Sequence, residues 1–299
     1  MPNTLVHIGT QGPLNSLLCK GTSPHWMLLG CITPDIPWIL QRILTAIPGI
    51  DPYTLRLYSM NQASLFFCLF IAAALALVTR RPLLIFLLLS LNCLLHLLLD
   101  ATQIKWANGV HLLVPFSWSM LRFDWFWPEH ISYQTATIVG LIFLAFNWKK
   151  IAATELELTR PTAAKVPIIF FLLLFYGGGP FLFFKQALAA DNHFCHTLMS
   201  QSDRTSKNIE LDRVYFSSES KSIKLFRGEI FTLHGPLPDA NSLISVQGHF
   251  IDPNTIQVTE FHQHHQYRTI TSSLGLLLIA TLWVHSLILR KRVKKPLPS

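Results

Sequence analysis

Five stretches of this chain, 61–79, 82–99, 131–147, 166–184 and 269–289, contain no charged side chain. Each is 17 to 21 residues long. At about 1.5 Å per residue, a helix of that length covers the roughly 30 Å hydrocarbon core of a bilayer. Only 13% of the residues are charged, against about 25% in an average soluble domain. Disordered and fibrous classes are excluded, and a single soluble domain does not fit. The modest mean hydropathy of +0.38 requires a polar insert, which lies between Ala187 and Arg268. The expected fold is mainly α: a polytopic membrane helical bundle of about five spans with a small extracytoplasmic all-β domain. The expected domains are a helical bundle over 1–186, the β-domain over 187–268, and a last span with a basic tail over 269–299.

Orientation follows from charge, because cytoplasmic loops are rich in Lys and Arg. Arg80 and Arg81 link the first two spans. Lys149, Lys150, Arg160 and Lys165 separate the third and fourth, and Arg290, Lys291, Arg292, Lys294 and Lys295 follow the last. Five spans put these three groups on one side, with 11 of the 24 basic residues. That side is the cytoplasm, and 1–60, 101–130 and 187–268 face away from it. The net charge of +8 is thus an orientation signal, and no nucleic-acid partner is expected. With no basic leader and no Ala-x-Ala cleavage pattern, the first span is expected to act as its own insertion signal. The apolar stretch 25–47 carries Pro34, Asp35, Pro37 and Arg42. It is expected to be a broken helix against the outer face of the bundle, because a mid-membrane charge costs several kcal/mol. Cys31, Cys68 and Cys93 read as small buried hydrophobes. Cys19 and Cys195 share the outer side, with no spacing pattern to support a disulfide.

The period changes over 211–265. Five short strand-like runs, around Tyr215, Leu225, Phe231, Ser245 and Gln257, are separated by Gly, Pro, Asn and Asp turns. Five strands in so short a segment suggest a small barrel or sandwich, OB-like in size. It has no basic excess, so it is not a nucleic-acid-binding barrel. His262 and His264 share one strand face. With His265 they read as a solvated strand end, with a metal site as the alternative. Gly177-Gly178-Gly179-Pro180 has no phosphate-loop context and marks a kink or close helix contact. Lone His285 in the last span reads as a hydrogen-bonded packing residue.

The chemistry sits elsewhere. His96 and Asp100 are four apart near the outer end of the second span, so they share one helix face. They suit either a hydrogen-bonded pair or two ligands of one metal ion. His7 and Asp35 fall on the same side of the membrane, and Asp35, in a proline-broken apolar segment, needs a partner. Two imidazoles and two carboxylates suit a divalent ion, Zn²⁺ first and Mn²⁺ second. No Gly-x-Ser-x-Gly elbow is present.

The order of these residues resembles that of bacterial inner-membrane proteins classed as predicted membrane-bound metal-dependent hydrolases, regarded as relatives of zinc-dependent phospholipase C and P1 nuclease. The matching segments are His7, Leu29-Gly30-Cys31-Ile32-Thr33-Pro34-Asp35, Leu94-Leu95-His96-Leu97-Leu98-Leu99-Asp100 and Gly109-Val110-His111-Leu112-Leu113-Val114-Pro115-Phe116-Ser117. Together they cover roughly 1–148. The resemblance implies that His7, Asp35, His96 and Asp100 are metal ligands; the chemistry of such a site expects a carboxylate such as Asp35 to take a proton from a metal-activated water. The chain departs from the family in two places. Ala63 stands where a His-Ser pair is usual, and Trp38 stands near a second expected His. One ligand is thereby missing, or replaced by Gln62, Asn61, His111, Glu129 or His130. The tryptophans 106, 118, 125 and 127 read as an interfacial belt.

The expected function is an integral inner-membrane hydrolase working at the extracytoplasmic membrane surface, in contact with membrane lipids. Its substrate would be a phosphodiester or a lipid-linked ester. The alternative is a catalytically degenerate envelope protein whose β-domain, 187–268, binds a protein partner. A transporter is the weakest reading, because the spans hold few ionisable residues and no internal repeat.

Overall fold

The computed structural model describes residues 2–18, 22–191 and 194–293. Its helices are α1 (Thr4–Leu18), α2 (Pro24–Gly30), α3 (Ile36–Leu44), α4 (Pro52–Gln62), α5 (Leu65–Leu77), α6 (Pro82–Ala101), α7 (Ile131–Ala153), α8 (Lys165–Leu182), α9 (Phe184–Ala190), α10 (Cys195–Met199) and α11 (Tyr267–Val293). Between α10 and α11 lie β1 (Asn208–Ser217), β2 (Ser222–Lys224), β3 (Ile230–His234), β4 (Ser242–Asp252) and β5 (Thr255–His264).

Four helices, α6, α7, α8 and α11, are long and apolar enough to cross a membrane. The outward face of α8 is apolar, with Phe170, Phe171 and Leu174 exposed, as a lipid-facing helix requires. The expected first span, 61–79, differs. Its helix α5 has 13 residues, which is only about 20 Å, and it reaches spanning length only together with α4, from which it bends by 69°. The cause lies in the neighbouring helix. Pro180 inside α8 has no N–H for the Tyr176 carbonyl one turn back, and Gln62 Nε2 donates to that carbonyl at 3.1 Å. Asn61 Nδ2 donates to the Pro180 carbonyl at 3.0 Å and Tyr58 to that of Gly177 at 2.7 Å. The Gly-Pro segment is therefore a close helix contact: a Cβ at Gly179 would stand 2.7 Å from the Phe67 ring.

The first sixty residues do not stay at one end of the bundle, which corrects the expected layout. α1 packs along α7 at a crossing where Gly9 faces the Ala136 carbonyl and Gly140 faces that of Leu5, with no room for a Cβ at either. Thr22 and Ser23 then border a cavity with Lys150 and Thr154, so the chain turns at the end carrying that basic segment. α2 returns along α6. Asn15 and Asn92 exchange amide hydrogen bonds of 2.8 and 3.0 Å, and His25 Nε2 lies 2.7 Å from Ser286 Oγ of α11. Polar partners on α6 and α11 are what let so polar a segment enter the bundle. His285, by contrast, faces outward. Cys195 carries a free, buried thiol, and Cys19 lies outside the described residues.

The strands close into a barrel in the order β1-β2-β3-β5-β4. β3 and β5 are parallel, and the other pairs are antiparallel. Phe231 and Phe250 meet edge to face inside it, with ring centroids 5.6 Å apart. The barrel core runs on into Tyr53 and Leu57 of α4, Ala187 of α9 and Cys195 of α10, so the barrel is seated on the bundle rather than tethered to it. Phe250 is fully buried. Phe250→Ala is expected to lower unfolding stability by about 3–5 kcal/mol, seen as a lower Tm for loss of the β signal.

Candidate metal centre

Three elements bring the four expected ligands together. α1 supplies His7. A single 3-10 turn, Thr33–Asp35, supplies Asp35. α6 supplies His96 and Asp100 from one face. All four side chains are buried. His7 Nε2 lies 3.4 Å from Asp100 Oδ1. His96 Nε2 lies 3.5 Å from Asp35 Oδ1 and 3.6 Å from Asp100 Oδ2. The two imidazoles stack, with centroids 3.7 Å apart and planes within 5°.

The orientation of His96 is fixed from behind. Its Nδ1 donates to the Cys31 carbonyl at 2.7 Å, because a carbonyl can only accept. Nε2 faces the carboxylates, and in the neutral ring it is the lone-pair nitrogen, the usual arrangement of an imidazole metal ligand. Both ring nitrogens of His7, Nε2 of His96, Oδ1 of Asp35 and Oδ1 of Asp100 are buried without a hydrogen-bond partner. Orphaned buried polar atoms are costly, and here five of them share one cluster. The N···O separations of 3.4 to 3.6 Å exceed the ordinary hydrogen-bond range of about 2.7–3.2 Å. They approach the spacing of about 3.3–3.4 Å between ligands on a tetrahedral zinc with bonds near 2.0–2.1 Å. His7, His96 and Asp100 offer ligand atoms within 4.8 Å of one another, a donor set that suits a divalent ion; Asp35 joins this group through His96, and the stacked rings would have to turn for both imidazoles to bind one ion.

The replacements considered for the missing ligand sort differently. Asn61 and Gln62 donate their amide N–H groups to α8 carbonyls. Ala63, Trp38 and His111 lie beside Asp100: with it, but with no other member of the cluster, they line a cavity of about 30 Å³, room for about one water molecule. His130 caps α7, accepting from the Ser132 N–H at 3.2 Å.

Glu129, His262 and His264 form a cluster of their own, correcting the reading of that segment as a solvated strand end. His262 Nε2 and His264 Nδ1 each lie 3.1 Å from a Glu129 oxygen. His264 Nε2 lies 2.8 Å from Ser245 Oγ, and His262 stacks on Trp127 at 3.7 Å. Trp127 and the buried Trp106 therefore pack inside the molecule, while Trp125 is exposed. Here the polar atoms are paired at hydrogen-bond distance, unlike those around His96. The cluster fastens the 102–130 loop to the barrel, as do Arg122 and Ala107 through Glu210. Alternation exposed His262 and His264 as a pair in the sequence, but nothing marked Glu129 as their partner 133 residues away.

Burial alone would raise the Glu129 carboxyl, but hydrogen bonds from His262 and His264 outweigh it and hold it well below the usual carboxylate range. A carboxylate depressed in the folded state contributes stability above its unfolded pKa of about 4.3 and loses it as pH falls through the folded value. The Tm gap between wild type and Glu129→Gln is therefore expected to be full at neutral pH and to shrink in acid below about pH 4. A gap unchanged by pH would remove this role.

No family model matches the chain, and neither a curated protein nor a solved structure does.

Proposed function

We propose that this chain is a membrane-embedded, metal-dependent hydrolase acting on a phosphodiester or lipid-linked ester at the extracytoplasmic membrane surface. One observation carries the reading: His7, His96 and Asp100 bring buried ligand atoms from two separate helices within 4.8 Å of one another, with Asp35 3.5 Å from His96. The residues marked by the resemblance to membrane-bound metal-dependent hydrolases are the ones that converge. Zinc is the preferred ion and manganese the second.

When bound, a divalent ion there supplies Lewis acidity and a water whose pKa falls toward about 7. The chain's own residues do the rest. Asp35 sits on a short turn rather than in a long helix, with Oδ1 3.5 Å from His96 Nε2, and is the base that takes a proton from the attacking water. The Cys31 carbonyl holds His96 in one tautomer. The cavity bordered by Asp100, Trp38 and Ala63 has room for the attacking water. The candidate spans and the basic segments support an inner-membrane location with 101–130 and 187–268 outside and the C-terminus in the cytoplasm. Barrel order and the parallel β3–β5 pair support an OB-like relation for the barrel.

The test uses detergent-purified protein and the chromogenic diester bis-p-nitrophenyl phosphate. Hydrolysis should vanish with a chelator and return with zinc or manganese, and Asp35→Asn should lower it by about 10²-fold or more. Equal rates with and without chelator would overturn the proposal.

A further inference from the structure

A second pocket, of about 290 Å³, opens between α3, the 102–130 loop and the barrel. Five cationic side chains line it, Arg42, Arg56, Lys105, Arg213 and Arg268, against the single carboxylate of Asp212. Arg56 is already engaged by Asn108 and, at 3.7 Å, by Asp191. Asp212 accepts from Ser245 at 2.9 Å, so its charge is shared. Arg213 stands at the β1 bulge between Leu211 and Val214 with a left-handed φ of 56°. That conformation is uncommon for a residue with a side chain and costs of order 1–3 kcal/mol, and such strain gathers at ligand sites. The Nη1 atom of Arg213 is buried without a hydrogen-bond partner. Converging like charges in a half-enclosed space repel one another and focus a field that draws an anion.

We infer that this pocket binds the phosphate group of an amphiphilic substrate and delivers the attached ester to the His96 cluster. The inference rests on the hydrolase reading and adds the substrate's recognised group. Guanidinium forks match phosphate oxygens two at a time, which favours phosphate over a carboxylate of equal charge. Trp38 and Lys105 line both this pocket and the small cavity that ends on Asp100. Lys105 Nζ lies 5.9 Å from the centre of the Trp38 ring, so one cation–aromatic pair borders both spaces. The apolar members Phe226 and Leu243, with Thr269 at the start of α11, give the pocket an apolar margin beside a membrane-length helix. That is where the chain of a lipid would leave.

The full chain in detergent, stripped with a chelator, is titrated with inorganic phosphate, with short-chain phosphatidic acid and with short-chain phosphatidylcholine, and thermal stabilisation is read. Saturable stabilisation by phosphatidic acid, with phosphatidylcholine at least tenfold weaker, is the expected result; an equal response to inorganic phosphate would make the free anion a source as well. Arg42→Gln with Arg213→Gln should weaken binding at least tenfold. Arg42→Gln alone, at an exposed position, guards against misfolding and should weaken it severalfold. No saturable shift in wild type, or equal affinity in wild type and both variants, would overturn the inference. Binding is measured on stripped protein and metal by its content, so a failure here is distinct from a failure of the metal centre.

Discussion

His96→Ala should purify as a folded chain without metal, where the proposal expects wild type to retain one zinc or manganese per molecule. His96 is the centre of the cluster: its Nε2 lies within 3.6 Å of carboxylate oxygens from both Asp35 and Asp100. Its other nitrogen is already used on the Cys31 carbonyl, so no alternative rotamer offers the same donor at the same tautomer. Loss of an orienting partner alone costs about 10–100-fold in metal affinity, and loss of this ligand should cost more. Asp100→Asn separates the chemistry from the fold, since the amide fills the same space without the charge. It should also lose the metal while keeping the wild-type circular dichroism. If both variants hold metal as tightly as wild type, the cluster is a hydrogen-bonded knot and the ion sits elsewhere.

Gly140→Ala is expected to have the second large effect, although residue 140 touches no ligand. Its hydrogen faces the Leu5 carbonyl, and a methyl there overlaps backbone that cannot rotate away. α1 must move off α7. Overpacking of this kind costs about 1–3 kcal/mol, and His7, two residues beyond Leu5, is carried out of the cluster with the helix. Both a lower Tm and weaker metal retention should follow. Gly177→Ala is the control, because nothing lies within 4 Å of its added methyl; it should keep wild-type metal retention and a Tm no lower than wild type, since alanine in a helix interior gains about 0.5–1 kcal/mol over glycine. Equal behaviour of the two variants would mean that α1 does not position the site.

Much of this was legible because bilayer thickness is a strong constraint on charge-free length. Four of the five uncharged runs are single long helices, and the five strand-like runs close into a barrel. The fifth run hid its bend. At the break, Gln62 reaches the Tyr176 carbonyl that Pro180 frees in a helix far along the chain, and Asn61 reaches the Pro180 carbonyl; no local pattern in 61–79 records that. α1 was illegible for a related reason: it is stabilised by Gly9 and Gly140 meeting backbone, a contact between segments far apart in the chain. The site was legible in part. The His96–Asp100 spacing puts two donors on one helix face, and Asp35 demanded a partner wherever it lay. That Gln62 and Asn61 turn to α8, and that Trp38 and Ala63 line a cavity beside Asp100, required the tertiary structure.

X-ray absorption on zinc-loaded wild-type protein tests the central claim most directly. The account predicts one zinc per chain with four nitrogen and oxygen ligands at about 2.0–2.1 Å, two of them imidazole, and loss of that signal in Asp100→Asn. Zinc held through sulfur, or a folded chain that binds none, would contradict it.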